Sequence, residues 1–424
     1  MDYYHIQGGL ELHGSVKISG AKNAALPIIV ASLLADGTTV LRNVPDLADI
    51  RTIIHVIEFL GAKTRFDHVS NTLTIDVNGI TNALVPYDIV KTMRASVYVL
   101  GPLLGRLGEA DVSLPGGCAI GERPVDIHLS GFETLGAEID LDGGYIKART
   151  KENHLVGNTF KMRQISVGAT ANLLMGAVLA KGETILENCA LEPDIIDLGE
   201  FLIKMGAKIE GLGTDRITIT GVKTLSPVTY DIMPDRIEAG TYLLAGAATR
   251  GNVTIENIIP QHIDSLTDTL EAMGFDITKG KSSVSIKPGK SLKGALVRTL
   301  PYPGFPTDLQ APMMALMITI PGISVMIETI FENRFTHVPE MRRLGANISI
   351  EREVSIIQGM ETLSGAPVQM SDLRAGAALV IAALTAKGES EIRRIYHSDR
   401  GYEHFADKLT SLGAKIERKK GGNL

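Results

Sequence analysis

Apolar and polar positions along this chain fall into one pattern that recurs six times. The pattern opens on a run of small apolar residues, as at 24–34, 169–180 and 375–386. Apolar on every side, such a run predicts a helix buried nearly all round. A glycine stops it. An alternating strand follows, seen in Gly37-Thr38-Thr39-Val40-Leu41-Arg42, Gly182-Glu183-Thr184-Ile185-Leu186-Glu187 and Gly251-Asn252-Val253-Thr254-Ile255-Glu256. Then come an amphipathic stretch such as 50–60 or 195–205, a tight turn, and two more alternating strands, of which Leu73-Thr74-Ile75-Asp76-Val77 is one. Periods of 3.6 and 2 therefore predict a unit of helix, strand, helix, strand, strand.

The tight turn marks the period. Leu60-Gly61-Ala62, Leu135-Gly136-Ala137, Met205-Gly206-Ala207, Met273-Gly274-Phe275, Leu344-Gly345-Ala346 and Leu412-Gly413-Ala414 stand 68 to 75 residues apart. Recurrence of that length is the mark of an architecture built from copies of one supersecondary unit. The sixth copy stops 11 residues after Gly413, too soon for its last strands. Residues 5–20 resemble the strand pair that closes the fifth copy at 356–370, so the N-terminal segment is expected to complete the sixth. Three copies per domain then give a continuous domain over 22–231 and a discontinuous one from 1–21 plus 232–424. Two crossings imply a hinge, and two lobes a cleft. A single solenoid is the alternative, but it would not need the N-terminus to finish the last copy.

Composition narrows the function. The 424 residues are 44% hydrophobic and 21% charged, which excludes extended disorder and leaves ordinary globular domains. A net charge of -6 opposes nucleic acid and anionic lipid as partners, so any anion must be held by a local basic cluster. Cys118 and Cys189 belong to no Cys-x-x-Cys or Cys/His cluster, which argues against structural zinc and for a reducing compartment. The longest uncharged stretch, between Asp308 and Glu328, is broken by Pro312, Pro321 and Gly322 and reads as buried helix, turn and strand. With no secretion signal at the start, a cytoplasmic protein is expected.

Departures from the repeat are the candidates for chemistry. The second copy carries extra residues at Ser113-Leu114-Pro115-Gly116-Gly117-Cys118-Ala119-Ile120-Gly121-Glu122-Arg123-Pro124. Such a loop presents a thiol beside Arg123, and a cationic neighbourhood favours the reactive thiolate. Cys189, in apolar surroundings, reads as a small buried side chain. The starts of the apolar helices carry Lys22-Asn23, Arg94, Ser166-Val167-Gly168, Arg236, Asp308 and Arg374. Free backbone N–H groups and positive dipole ends make such termini suited to phosphates. Asp308 there is either a backbone cap or a proton acceptor. The runs Asn333-Arg334-Phe335-Thr336-His337 and His397-Ser398-Asp399-Arg400-Gly401-Tyr402 follow strands. No Walker loop, Gly-x-Gly-x-x-Gly or metal-ligand pattern occurs.

Together Gly20-Ala21-Lys22-Asn23-Ala24, Pro115 to Gly121, Arg123-Pro124-Val125-Asp126-Ile127-His128, Ser166 to Thr170, Pro303 to Asp308, Phe331 to Phe335, Asp372-Leu373-Arg374 and Asp399 to Tyr402 resemble the UDP-N-acetylglucosamine enolpyruvyl transferases, over essentially the whole chain. The resemblance implies a two-lobed inside-out α/β barrel of six repeats. It also implies transfer of the enolpyruvyl group of phosphoenolpyruvate to the 3-hydroxyl of UDP-N-acetylglucosamine, the committed step of peptidoglycan synthesis. Lys22, Asn23, Arg94, Arg123, Arg334, Arg374 and Arg400 would meet phosphoenolpyruvate. The sugar nucleotide would meet Asn23, Arg94, Arg123, Pro124, Val125, Asp126, Ile127, His128, Gln164, Ser166, Val167, Gly168, Asp308 and Ile330. The implied catalytic set is Cys118 as acid, Asp308 as base, Lys22 and Arg400, with Cys118 the thiol that fosfomycin-type epoxides alkylate. No metal, organic cofactor or obligate protein partner is implied. Gln164 departs from the pattern, standing where some members have a lysine.

Three rival readings remain open to the sequence. The sister 3-phosphoshikimate 1-carboxyvinyltransferases use no loop cysteine, so Cys118 counts against them. A repeat-built nucleic-acid clamp would need an even basic lining. A silent nucleotide-binding paralogue would have no use for Lys22, Cys118, Asp308 and Arg400 together.

Overall fold

A computed structural model of the chain describes residues 2–90, 94–114 and 125–421. It is mixed α/β, with six sheets of four strands each. In the first, Thr72–Val77 lies antiparallel between Gly37–Arg42 and Lys63–Asp67, and Thr229–Asp231 joins the far edge in parallel. The other five repeat this arrangement. Each repeat thus has one strand beyond the five elements read from the pattern, and that short strand leaves its own repeat to pair in parallel with the next. Leu84–Val85 passes to Glu109–Ser113, Thr159–Lys161 to Glu183–Glu187, and Thr229–Asp231 back to Gly37–Arg42, closing a ring of three. Runs of two or three residues are too short to carry a period, which is why the pattern does not announce them.

The second ring closes the same way. Leu296–Arg298 pairs with Ile323–Ile327, Pro367–Gln369 with Glu389–Arg393, and His13–Lys17 with Asn252–Glu256. Tyr3–Gln7 lies antiparallel between Glu389–Arg393 and Lys415–Lys419, supplying the inner strand the sixth repeat lacks. Two compact units result, residues 20–114 with 125–233, and residues 2–19 with 234–421. Each has its own apolar core.

Small residues let the core helices approach closely. Between Leu100–Leu107 and Val167–Ala177, a Cβ on Gly101 would fall 2.3 Å from the Asn172 carbonyl oxygen, so nothing larger than hydrogen fits. In the other unit Gln310–Met317 packs against both Arg236–Ala248 and Leu373–Thr385. Among the described residues no helix is long and apolar enough to cross a membrane.

Each unit fixes the residue at its boundary with a buried carboxylate. Asp197 accepts hydrogen bonds from Met233 N at 3.3 Å and Tyr230 Oη at 2.8 Å, while Glu238 accepts from Ser19 N at 2.7 Å and from Lys408 Nζ at 2.6 Å. Burial pushes Asp197 up from 3.8 to about 7, against the pull of those hydrogen bonds. The folded state therefore keeps a proton that the unfolded chain releases near pH 4. This contribution to stability is complete below that pH and is lost as pH rises through about 7. Asp197→Asn removes the titration. Relative to wild type, it is expected to gain on the order of 2 to 4 kcal/mol between pH 4 and pH 8. Urea unfolding across that range measures the difference; one that does not vary with pH would exclude the assignment.

Candidate active site

In the unit holding residues 20–233, the helix starts carry the expected side chains. Lys22 is the first residue of Lys22–Ala31, Asn23 follows it half-buried, and Arg94 heads the turn Arg94–Val99. Glycine is required just before: a Cβ on Gly20 would fall 1.7 Å from the Asn43 carbonyl oxygen. Lys22 is buried, its Nζ 3.4 Å from Asp49 Oδ2. Asp49 sits in the first turn of Ala48–Phe59 and is equally buried, so the pair is held largely away from water.

Ser166 caps Val167–Ala177, its Oγ accepting from Ala169 N at 3.2 Å. Val167 and Gly168 open that helix half-buried. His128 lies beside them on Asp126–Thr134, and a Cβ on Gly168 would come within 3.2 Å of its Nε2. Asn172 fixes the ring. Its Oδ1 accepts from Gly101 N at 2.7 Å and its Nδ2 donates to Val97 O at 2.9 Å, leaving Nδ2 as the atom facing His128 Nδ1 at 3.0 Å. Nδ1 is thus the acceptor, and the neutral ring carries its proton on Nε2, toward Gly168. Val125 precedes the same helix, Ile127 is buried in it, and Asp126 pairs with Arg163 at 2.5 Å. Gln164 is exposed. Cys118, Arg123 and Pro124 lie outside the described residues.

In the unit holding residues 234–421, three predicted residues meet. Asp308 sits in the turn Thr307–Leu309 that leads into Gln310–Met317. Its Oδ1 accepts from Arg334 Nη2 at 2.9 Å and its Oδ2 from Arg374 Nη2 at 3.1 Å. Asp308 keeps 27% of its side chain exposed, whereas Arg334 and Arg374 keep 3% and 4%. Arg374 is the second residue of Leu373–Thr385, whose cap Asp372 accepts from its backbone N at 2.9 Å. Burial opposes the Arg374 charge, but Tyr402, Asp308 and Asp235 outweigh it and hold the guanidinium firmly protonated. Its Nη1 has no hydrogen-bond partner among the described residues, and its guanidinium lies 5.3 Å over the Tyr402 ring. Arg334 lies 5.3 Å over the Phe331 ring. Two buried guanidiniums aimed at one half-exposed carboxylate form an anion site that the chain fills with its own side chain.

Ile330 is half-buried on the loop before Arg334. Arg400 ends the turn Ile395–Arg400, also half-buried, and Arg418 steadies that turn by holding Asp399 with bonds of 2.9 and 3.0 Å. Burial, then Arg394 and Arg400, push His397 down, keeping it neutral. Cys189 is fully buried, and burial raises its thiol to about 12.

Sequence reasoning overlooked Asp49 and Asn172. The available signals were a lone acid opening an amphipathic helix and a lone amide inside an apolar run. Neither says which distant side chain will meet it.

The sequence profile of the EPSP synthase family, described as 3-phosphoshikimate 1-carboxyvinyltransferase, matches residues 6–409. Much closer likeness comes from single relatives. The UDP-N-acetylglucosamine 1-carboxyvinyltransferase 2 of Carboxydothermus hydrogenoformans is 52% identical over 420 residues, 99% of each chain. This chain belongs to the UDP-N-acetylglucosamine 1-carboxyvinyltransferase group of the EPSP synthase family. The Myxococcus xanthus member is 51% identical, covering 99% of this chain and all of its own. Among solved structures, the enolpyruvyl transferase NikO from Streptomyces tendae superposes with a TM-score of 0.89 at 25% identity, over 99% of both chains. EPSP synthase from Acinetobacter baumannii shares the fold, with a TM-score of 0.78 at 18% identity. Membership makes the chain a transferase, and its six-sheet α/β architecture is that of the enolpyruvyl transferases.

Proposed function

We propose that the chain transfers the enolpyruvyl group of phosphoenolpyruvate to the 3-hydroxyl of UDP-N-acetylglucosamine and releases phosphate, the committed step of peptidoglycan synthesis in the cytoplasm. The observation that carries this reading is the pairing of Asp308 with Arg334 and Arg374, at 2.9 and 3.1 Å. A donor carrying both a phosphate and a carboxylate competes for those guanidiniums. As they turn to it, the carboxylate is released to accept the proton of the sugar hydroxyl.

The hydroxyl oxygen then bonds to C2 of the enol while Cys118 protonates the methylene C3, giving a tetrahedral phosphate-bearing intermediate. Removal of a proton from C3 restores the double bond as the C2–O bond to phosphate breaks. In this reading Lys22, Arg94, Arg123 and Arg400 hold the phosphate end, and Asn23 serves both substrates. Pro124 to His128, Gln164, Ser166 to Gly168 and the backbone at Ile330 hold the sugar nucleotide, with His128 Nε2–H as a donor. No step calls for a metal or organic cofactor.

Phosphate release from phosphoenolpyruvate, with either UDP-N-acetylglucosamine or shikimate 3-phosphate as acceptor, tests the reading. Turnover is expected with the sugar nucleotide alone. Turnover with shikimate 3-phosphate instead would overturn the substrate assignment.

A further inference from the structure

Glu328 follows the strand Ile323–Ile327 and is 3% exposed. Among the described residues its hydrogen-bond partners are four donors, none of them a cation. Oε1 accepts from Thr299 Oγ1 at 3.0 Å, Ile330 N at 2.8 Å and Phe331 N at 3.1 Å, while Oε2 accepts from Thr307 Oγ1 at 2.9 Å. A buried carboxylate without an ion pair is costly unless its lone pairs are filled, and here both oxygens are engaged. The strand end itself is pinned, Glu328 N donating to Glu353 O and Thr329 N to Thr299 Oγ1, both at 2.9 Å.

The two oxygens serve different segments. Oε2 holds Thr307, the residue before Asp308. Oε1 holds the amides of Ile330 and Phe331, three residues before Arg334. Arg334 in turn lies over the Phe331 ring and donates to Asp308 at 2.9 Å. A closed circuit results, running Asp308, Thr307, Glu328, Phe331, Arg334 and back to Asp308. Resting on the enolpyruvyl transfer reading, we propose that Glu328 is a positioning residue for the reaction, setting the Asp308 carboxylate and the loop before Arg334 in one register. It touches neither substrate in this assignment. Displacements near 1 Å at reacting groups cost up to about 100-fold in rate, so the circuit matters to turnover more than to folding.

Thr307→Val removes the hydroxyl while keeping the volume, and Thr307→Ser restores the hydroxyl. The valine variant is expected to lose roughly 10- to 100-fold in kcat, with KM for phosphoenolpyruvate within about threefold and an unchanged melting temperature. The serine variant and Glu328→Gln, which keeps an acceptor for the amides, are expected within about fivefold of wild type. Wild-type kcat in Thr307→Val, or equal losses in Thr307→Ser, would overturn the proposal. Amide exchange distinguishes its failure from failure of the functional reading, since it needs no turnover. In Glu328→Ala, peptides covering Thr307–Leu309 and Ile330 with Phe331 should exchange faster together, while those from Arg236–Ala248 stay unchanged. Unchanged exchange in either of the first two segments also overturns it.

Discussion

Asp308→Asn is expected to lower kcat by roughly 10²- to 10⁴-fold, the range attached to a general base, while leaving phosphoenolpyruvate binding intact or tighter. The amide has almost the same shape and can still accept one hydrogen bond, so the turn Thr307–Leu309 keeps its geometry. It cannot take a proton from a hydroxyl. It also removes the negative charge on which Arg334 and Arg374 both close, at 2.9 and 3.1 Å. Two buried cations without their carboxylate attract an external anion more strongly. Steady-state phosphate release gives kcat, and titration calorimetry with phosphoenolpyruvate gives the affinity. Opposite signs for the two effects mark a base that doubles as a counter-ion. A variant that turns over at the wild-type rate would remove Asp308 from the chemistry.

Cys118→Ala is expected to cut sustained turnover, also by roughly 10²- to 10⁴-fold, because in the proposed mechanism the methylene carbon then loses its proton donor. The chain has only two cysteines, which makes the experiment clean. Cys189 is fully buried, its Sγ 3.3 Å from Leu186 O, and burial raises its thiol to about 12, so it holds little thiolate at neutral pH. Treatment with a phosphonate epoxide should therefore add one adduct to the wild-type protein, located at Cys118, and none to the variant. Intact-mass spectrometry before and after the epoxide reads this out. Adducts at Cys189, or full activity in the alanine variant, would contradict the role given to the loop thiol.

The repeat and the site differ in how they could be read. Six copies were visible because periodicity is a local property. Each apolar run, each glycine stop and each alternating strand reports its own burial without reference to its neighbours. For the same reason the basic and polar helix starts could be named: Lys22, Ser166, Arg236 and Arg374 stand at or beside the first helical residue in the structure. The need for the N-terminal segment was legible as a deficit of strands after Gly413, and Tyr3–Gln7 fills it by pairing on both sides.

What each charged residue does depends on contacts that no local pattern encodes. Asp308 and Arg374 are 66 positions apart, and Asn172 and Val97 are 75 apart. Asp308 could be read as a cap or as a base; only packing of Gln310–Met317 against Leu373–Thr385 brings its carboxylate to two guanidiniums. Glu328 looked like the polar end of an apolar stretch, because four donors from three segments are assembled only when strands 296–298 and 323–327 lie side by side. The sequence alone thus determined the unit, its number and the residue types at each helix start, since those follow from local burial and backbone chemistry. Tertiary structure alone decided the partners, since hydrogen bonds and ion pairs form between whichever groups the closed rings of sheets bring within about 3 Å.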